Sequence, residues 1–319
     1  MPTERLIAEY GQTPELSLIS LAPTDTEATH RKLANRLSDL LALTKARVNF
    51  FVVGTAFVGF ALHARILANW RVLLSTLIGT GLIAGAAATA NQIREEKFDR
   101  QMVRTRNRPL ATGRIRRGTA LALAAVFLGV GCFSLGVFVN LRAMSLAGLT
   151  FIIYAFAYTP LKRQTPACIL VGAIAGALPV LIGWAASGAA FDLWAAVAFA
   201  VLFLWQIPHF LAIAWRCRTD YLRAGYRVLP GRDNKGHRTA GWALAGAVTT
   251  VAVTFIPLIL RQVTDSYLFG ELALGIVLLF AATRFLVKRT DAAAQTLFIT
   301  TLVYLPCVYL LMLLCNTQA

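Results

Sequence analysis

Long apolar blocks separated by short polar loops run through most of this chain. Those near 48–67, 72–91, 119–139, 143–161, 167–187, 193–214, 239–260, 267–286 and 296–315 each reach the roughly 20 residues that cross a hydrocarbon core as a helix. None alternates with a period of two, as barrel strands do, and lipid offers a backbone no hydrogen bonds. Each block therefore predicts a transmembrane helix, and the expected fold is all-α with nine spans. Residues 1–37 carry no such block and read as a polar, disordered extension of a transmembrane domain over 38–319. They lack the apolar core of a signal peptide, and Glu4, Glu9, Glu15, Asp25 and Glu27 argue against a transit peptide. That balance favours a bacterial inner (plasma) membrane.

Composition changes the picture little: 57% of the 319 residues are hydrophobic and only 14% charged, against about 25% charged in a typical soluble domain. The lipid bilayer is the expected surrounding. A net charge of +16 would suggest a nucleic-acid partner in a soluble chain, but its distribution gives another cause. All of the 31 lysines and arginines except Arg65, Arg71, Arg142 and Arg261 fall in the N-terminal segment or in loops after even-numbered spans. Basic loops stay cytoplasmic, so the N-terminus is expected inside, the C-terminus outside, and no nucleic acid is implied. The 5 cysteines form no close pair and sit mostly in apolar blocks, as buried small hydrophobes do. The loops after the second and sixth spans each carry an acid, a basic stretch and a Leu/Pro pair (RPL at 108–110, VLP at 228–230), a faint repetition that would bring both to one cavity.

Candidate chemistry concentrates where the second span ends, in NQIREEKFDRQMVRTRNRPLATGR (91–114). Asn91, Glu95 and Asp99 follow at four-residue spacing, which places them along one helix face. Two carboxylates and an amide suit Mg²⁺, and the forks of Arg100, Arg104, Arg106 and Arg108 suit phosphate. Together they suggest a diphosphate held by metal and guanidinium. A solvated loop with acids and bases paired at helical spacing, Glu95 or Glu96 with Arg100, accounts for the same residues, though less well for Asn91 inside the apolar boundary. Lys162 and Arg163 follow Tyr158 at the end of the fourth span, either as further phosphate contacts or as a basic flank. The sixth span carries Trp205, Gln206, Pro208 and His209, a kinked polar stretch that reads as a pocket lining or as hydrogen bonding within the bundle. Asp220 lies in the loop beyond.

These stretches resemble the UbiA superfamily of intramembrane prenyltransferases and, within it, the branch whose acceptor is haem. The matching pieces are LTKARV (43–48), NQIREEKFD (91–99), RTRNRPLATGRI (104–115), YTPLKRQTP (158–166), GAIAGALPVLIGWAA (172–186), LWQIPHF (204–210) and DYLRAGYRVLP (220–230), in order over roughly 38–315. The resemblance implies nine helices around a central cavity, with the polar site at its cytoplasmic end. It implies transfer of farnesyl from farnesyl diphosphate to a vinyl group of haem B, giving haem O and diphosphate, with haem A synthase as a candidate partner. Haem B would be substrate and Mg²⁺ the cofactor. By position, Asn91, Glu95, Asp99 and Asp220 become metal and catalytic residues. Lys162 joins them and, with Arg163 and the loop arginines, binds diphosphate, while His209, Trp205 and Gln206 contact haem.

The chain departs from the family pattern in places. Glu95 stands where many members have Asp, and Ala46 where a Pro is common. Cys217 stands where a further acid is expected, leaving Asp220 alone and the choice between one Mg²⁺ and a weaker second site open. A quinone or chlorophyll precursor as acceptor would predict a second DxxxD and no PH pair in the sixth span. A non-catalytic transporter would predict charges near the bilayer midplane. The sequence carries neither pattern.

Overall fold

The computed structural model describes residues 35–64 and 69–317, and Asp39–Ala319 packs as one compact unit. The extension expected over 1–37 lies outside the described residues apart from 35–37. The described residues are helical, save for turns and one isolated bridge between Val263 and Asn316. A short α1 (Asn35–Leu43) meets α2 (Ala46–Ala61) at a bend of 53°. Eight longer helices follow that can cross a membrane: α3 (Trp70–Asp99), α4 (Arg117–Phe138), α5 (Leu141–Leu161), α6 (Cys168–Ala186), α7 (Leu193–Arg216), α9 (His237–Ile259), α10 (Ser266–Lys288) and α11 (Asp291–Leu314). The short α8 (Arg218–Arg223) lies in the loop after α7. Among the described residues the nine expected spans become eight continuous ones, and up to nine if the bent α1–α2 pair counts as one span.

Local sequence explains the boundaries. Asn140, Asp192 and Thr290 cap α5, α7 and α11, accepting hydrogen bonds from the backbone N–H of Ala143, Ala195 and Ala293. The α3 helix corrects the expected end at residue 91 by continuing to Asp99. Its last turns, NQIREEKFD, contain no Gly or Pro and are rich in good helix formers, and Glu95 and Asp99 find half-buried cationic partners.

Two cores share α6. Phe60, Leu73, Ile83, Leu135 and Ile182 join α2–α6, whereas Trp184, Trp194, Tyr267, Phe285 and Tyr304 join α6, α7 and α9–α11. Within the second core the fully buried Glu271 accepts hydrogen bonds from the Thr254 and Tyr304 hydroxyls, and Tyr267 donates to the Thr254 carbonyl, tying three spans together. All five cysteines are free thiols.

Glycines let α2 and α6 touch backbone to backbone. A Cβ on Gly59 would collide with the Val180 carbonyl, and one on Gly183 with the Ala56 carbonyl. Gly183→Ala is therefore expected to destabilise the protein by about 1–3 kcal/mol or more, read as a lower thermal-aggregation midpoint in detergent. Gly129→Ala is the control, since its Cβ meets nothing within 4 Å. Equal midpoints for both variants would contradict the close approach.

Candidate active site

The last turns of α3 stack Asn91, Glu95 and Asp99 on one face, and all three are buried, at 0, 5 and 1% exposure. Each meets a cation from a different segment. Lys45 Nζ donates to Asn91 Oδ1 at 2.6 Å and to the Tyr154 hydroxyl at 3.3 Å. Lys162 Nζ donates to Glu95 Oε1 at 2.9 Å. Arg108 Nη1 donates to both Asp99 oxygens, at 2.9 and 2.7 Å, and lies 3.8 Å from Glu95 Oε2. One guanidinium nitrogen therefore reaches both carboxylates, which converge on a common cation position.

Backbone geometry delivers two of these cations. Lys45 holds the left-handed conformation (φ 51°) between α1 and α2, at a cost of roughly 1–3 kcal/mol for a residue other than glycine. Buried Gln92 clamps the segment just before it, donating to the carbonyls of Ala42 and Leu43 at 2.8 and 2.9 Å. In α5 the turns over Ile153–Tyr158 widen to a π-helix, a distortion frequent at functional sites. Thr159 Oγ1 donates to the Tyr154 carbonyl at 2.8 Å and accepts from Asn91 Nδ2 at 3.1 Å. The widened turns turn Tyr154 toward Lys45 and leave Lys162 4.5 Å from the Tyr158 ring.

Burial pulls the Lys162 pKa down, but the Glu95 carboxylate, with the Tyr158, Tyr154 and Tyr221 hydroxyls, outweighs it and holds the pKa well above the ordinary lysine value. Its ammonium is a fixed charge at any physiological pH. Burial, and then the Glu95 charge, push the Tyr226 phenol upward, so it stays a neutral hydroxyl. Tyr226 lines a cavity of about 210 Å³ together with Glu95, Arg94, Phe98, Thr159 and Arg163.

The remaining sequence candidates are arranged around this centre. Asp220 accepts from the backbone N–H of Val103 and Arg104 at 3.4 and 3.3 Å, so it anchors the arginine loop. Arg104 lies 5.9 Å from the Tyr221 ring, and Arg163 lies 4.2 Å from the Phe98 ring. Arg100 pairs with Glu96 at the surface at 2.7 Å, and Arg106 is exposed. On α7, His209 and Trp205 face α11, where His209 Nδ1 stands 2.9 Å from Thr301 Oγ1 and Trp205 Nε1 donates to the Thr301 carbonyl. Gln206 points the other way and donates to the Ala173 carbonyl on α6 at 3.0 Å. Lys45, Gln92, Tyr154 and Tyr226 are absent from the set read from sequence. For Lys45 the signal was present, a lone lysine in LTKARV at the mouth of the first span.

Hard oxygen donors suit Mg²⁺, which takes one or two carboxylates and completes its shell with water and phosphate oxygens. Glu95 and Asp99 would provide that pair, and Arg108 Nη1 lies between them, 2.7 Å from Asp99 and 3.8 Å from Glu95. Among the described residues no three His, Cys, Asp or Glu side chains come together, so Asp220 does not complete a protein-only cage.

The described residues thus form a bundle of helices long and apolar enough to cross a membrane, with carboxylates, lysines and arginines gathered at one end. The chain belongs to the UbiA prenyltransferase family, whose model matches residues 52–306. It is 38% identical over 287 residues to the protohaem IX farnesyltransferase of Solibacter usitatus, covering 87% of this chain and 98% of that one. Its fold matches a solved digeranylgeranylglyceryl phosphate synthase with a TM-score of 0.73 at 17% identity, over 89% of this chain and 100% of that one. A UbiA homologue from Archaeoglobus fulgidus, solved with GPP and Mg²⁺, matches with a TM-score of 0.63 at 16% identity, over 86% of this chain and 99% of that one.

Proposed function

We propose that this protein transfers the farnesyl group of farnesyl diphosphate to a vinyl group of haem B, giving haem O and diphosphate. The observation that carries this reading is the convergence of Glu95 and Asp99 on one cation position beside Lys162 and Arg108, in a chain whose similar relatives are named for that reaction. In this reading Glu95 and Asp99, with Asn91 beside them, would hold Mg²⁺, which supplies positive charge against the departing diphosphate. As the anionic head enters, Arg108, Lys162 and Lys45 exchange their protein oxygens for phosphate oxygens. They are then aimed where negative charge grows as the C–O bond breaks. Arg104 and Arg163, with Arg100 and Arg106 at the rim, extend the positive surface. The farnesyl carbon left electron-poor is attacked by the vinyl carbon, water adds to the neighbouring carbon, and one proton is released. Apolar walls of the bundle keep other water from the cation.

The two basic loops, Lys162 and the α11 start contact one another at one end of the bundle, through Arg227 with Lys162, Arg104 with Asp220 and Arg218 with Asp291. Basic ends stay inside, which supports a cytoplasmic site and N-terminus and an external C-terminus; the acids of residues 1–37, uncommon in a transit peptide, favour a bacterial inner membrane. On the same reading the domain begins near residue 38, and haem A synthase would take the product. A quinone-type acceptor fits less well, because the second loop carries no DxxxD pair: Asp220 accepts from backbone N–H groups, and the other acid, Asp233, accepts from Thr239. A competition experiment decides between acceptors. Membranes given radiolabelled farnesyl diphosphate with equal haem B and 4-hydroxybenzoate are expected to label the haem fraction. Label in the benzoate fraction alone would overturn the haem reading.

A further inference from the structure

We propose that His209 takes the acceptor haem through its iron, by Nε2, and that Thr301 fixes the imidazole tautomer and orientation this requires. The inference rests on the haem reading above, and two hydrogen bonds carry it further. Thr301 Oγ1 lies 2.7 Å from the Phe298 carbonyl, which can only accept, so the single hydroxyl proton points there. His209 Nδ1, 2.9 Å from the same oxygen, must then be the donor. In the neutral ring that leaves Nε2 as a bare lone pair, and among the described residues Nε2 has no hydrogen-bond partner. An imidazole that donates through one nitrogen to a fixed oxygen and offers the other as a lone pair is how metal-binding histidines are oriented.

The same tautomer argues against contact with a haem propionate. A carboxylate needs an N–H to accept from, and Nε2 would carry one only in the imidazolium. Among the described residues no carboxylate pairs with His209 to stabilise that charge; its neighbours are the Trp205 ring at 4.6 Å, Phe298 at 5.1 Å and Phe210 at 5.7 Å. Those flat apolar rings suit a porphyrin. His209 retains 8% exposure, and Trp205 is locked by its 2.7 Å bond to the Thr301 carbonyl, so one residue of α11 orients both side chains. Thr301 itself is a positioning residue, since it acts through His209.

Resonance Raman spectra of the full-length protein with ferrous haem B in detergent test this directly. The expected spectrum shows an iron–imidazole stretch that disappears in His209→Gly and returns when free imidazole is added. Thr301→Ser should keep the wild-type frequency. Thr301→Val, which keeps the shape and loses the oxygen, should shift the band and weaken haem binding by about 10–100-fold. An unchanged band in His209→Gly without imidazole overturns the iron ligand. Wild-type frequency and affinity in Thr301→Val overturn the role of Thr301, because a merely structural threonine would change the yield of folded protein and not the band. Failure of the folded wild-type protein to bind haem at all would instead overturn the haem acceptor itself.

Discussion

Replacing Asp99 by Asn should lower farnesyl transfer by about 10²–10³-fold, the scale on which losing one preorganised charge contact acts, with the protein still inserted and folded. Asn keeps the volume and one oxygen of Asp99 but not its charge, so one of the two converging carboxylates is lost as a hard cation ligand. Folding should tolerate the change, because the partner Arg108 keeps 18% side-chain exposure and can turn to water and to the remaining carboxylate of Glu95, 3.8 Å away. The measurement is turnover per folded molecule, with size-exclusion elution as the fold control. Activity within a few-fold of wild type would remove Asp99 from the site. Glu95→Gln is expected to lose activity alike, since it deletes the other half of the pair, and to lower the thermal midpoint as well, because it takes the carboxylate from the Lys162 ammonium.

Lys162→Met should have the largest effect on stability. Its ammonium lies 2.9 Å from Glu95, whose side chain is only 7% exposed. Leaving one member of a buried ion pair wholly uncompensated costs about 3–5 kcal/mol; Arg108 still stands 3.8 Å from Glu95, so the loss is expected at the lower end of that range, a fall of several degrees in thermal midpoint. Adding Glu95→Gln removes the stranded charge, so the double variant Glu95→Gln/Lys162→Met should recover most of that stability and remain inactive. The cycle separates the two roles of the pair. A double variant no more stable than Lys162→Met would show that Lys162 supports the fold in some other way than by neutralising Glu95. Because the Glu95 charge and the surrounding phenols hold the Lys162 pKa above its unfolded value, this stabilisation is complete at neutral pH. It is lost only as pH rises past the ordinary lysine range toward the elevated folded value.

How much was legible before the coordinates depends on how local the cause is. Apolar length alone marks the spans, and the i, i+4, i+8 spacing alone places Asn91, Glu95 and Asp99 on one face. What the spacing cannot say is that α3 stays helical through Asp99, because that depends on partners far along the chain: Lys45 for Asn91, Lys162 for Glu95, and the loop turn that returns Arg108 to Asp99. The bend just before the first expected span arises from a left-handed Lys45, a residue type that rarely signals a turn. Gln206 and His209 share an apolar helix and look alike in sequence, yet they face α6 and α11 respectively, a difference set by packing. Glu271 stands as a lone acid inside the eighth apolar block, a polar signal as plain in sequence as His209. It turns out to hold Thr254 and Tyr304 in the second core.

The most direct test of farnesyl transfer to haem is the mass of the haem itself. Membranes containing this protein are incubated with haem B, farnesyl diphosphate and Mg²⁺, and the extracted haems are analysed by mass spectrometry beside an EDTA control. The expected product is a haem heavier by one farnesyl group and the elements of water, absent from the EDTA sample. Unmodified haem B from folded, inserted protein would contradict a haem acceptor, and the same product in EDTA would contradict a divalent ion between Glu95 and Asp99.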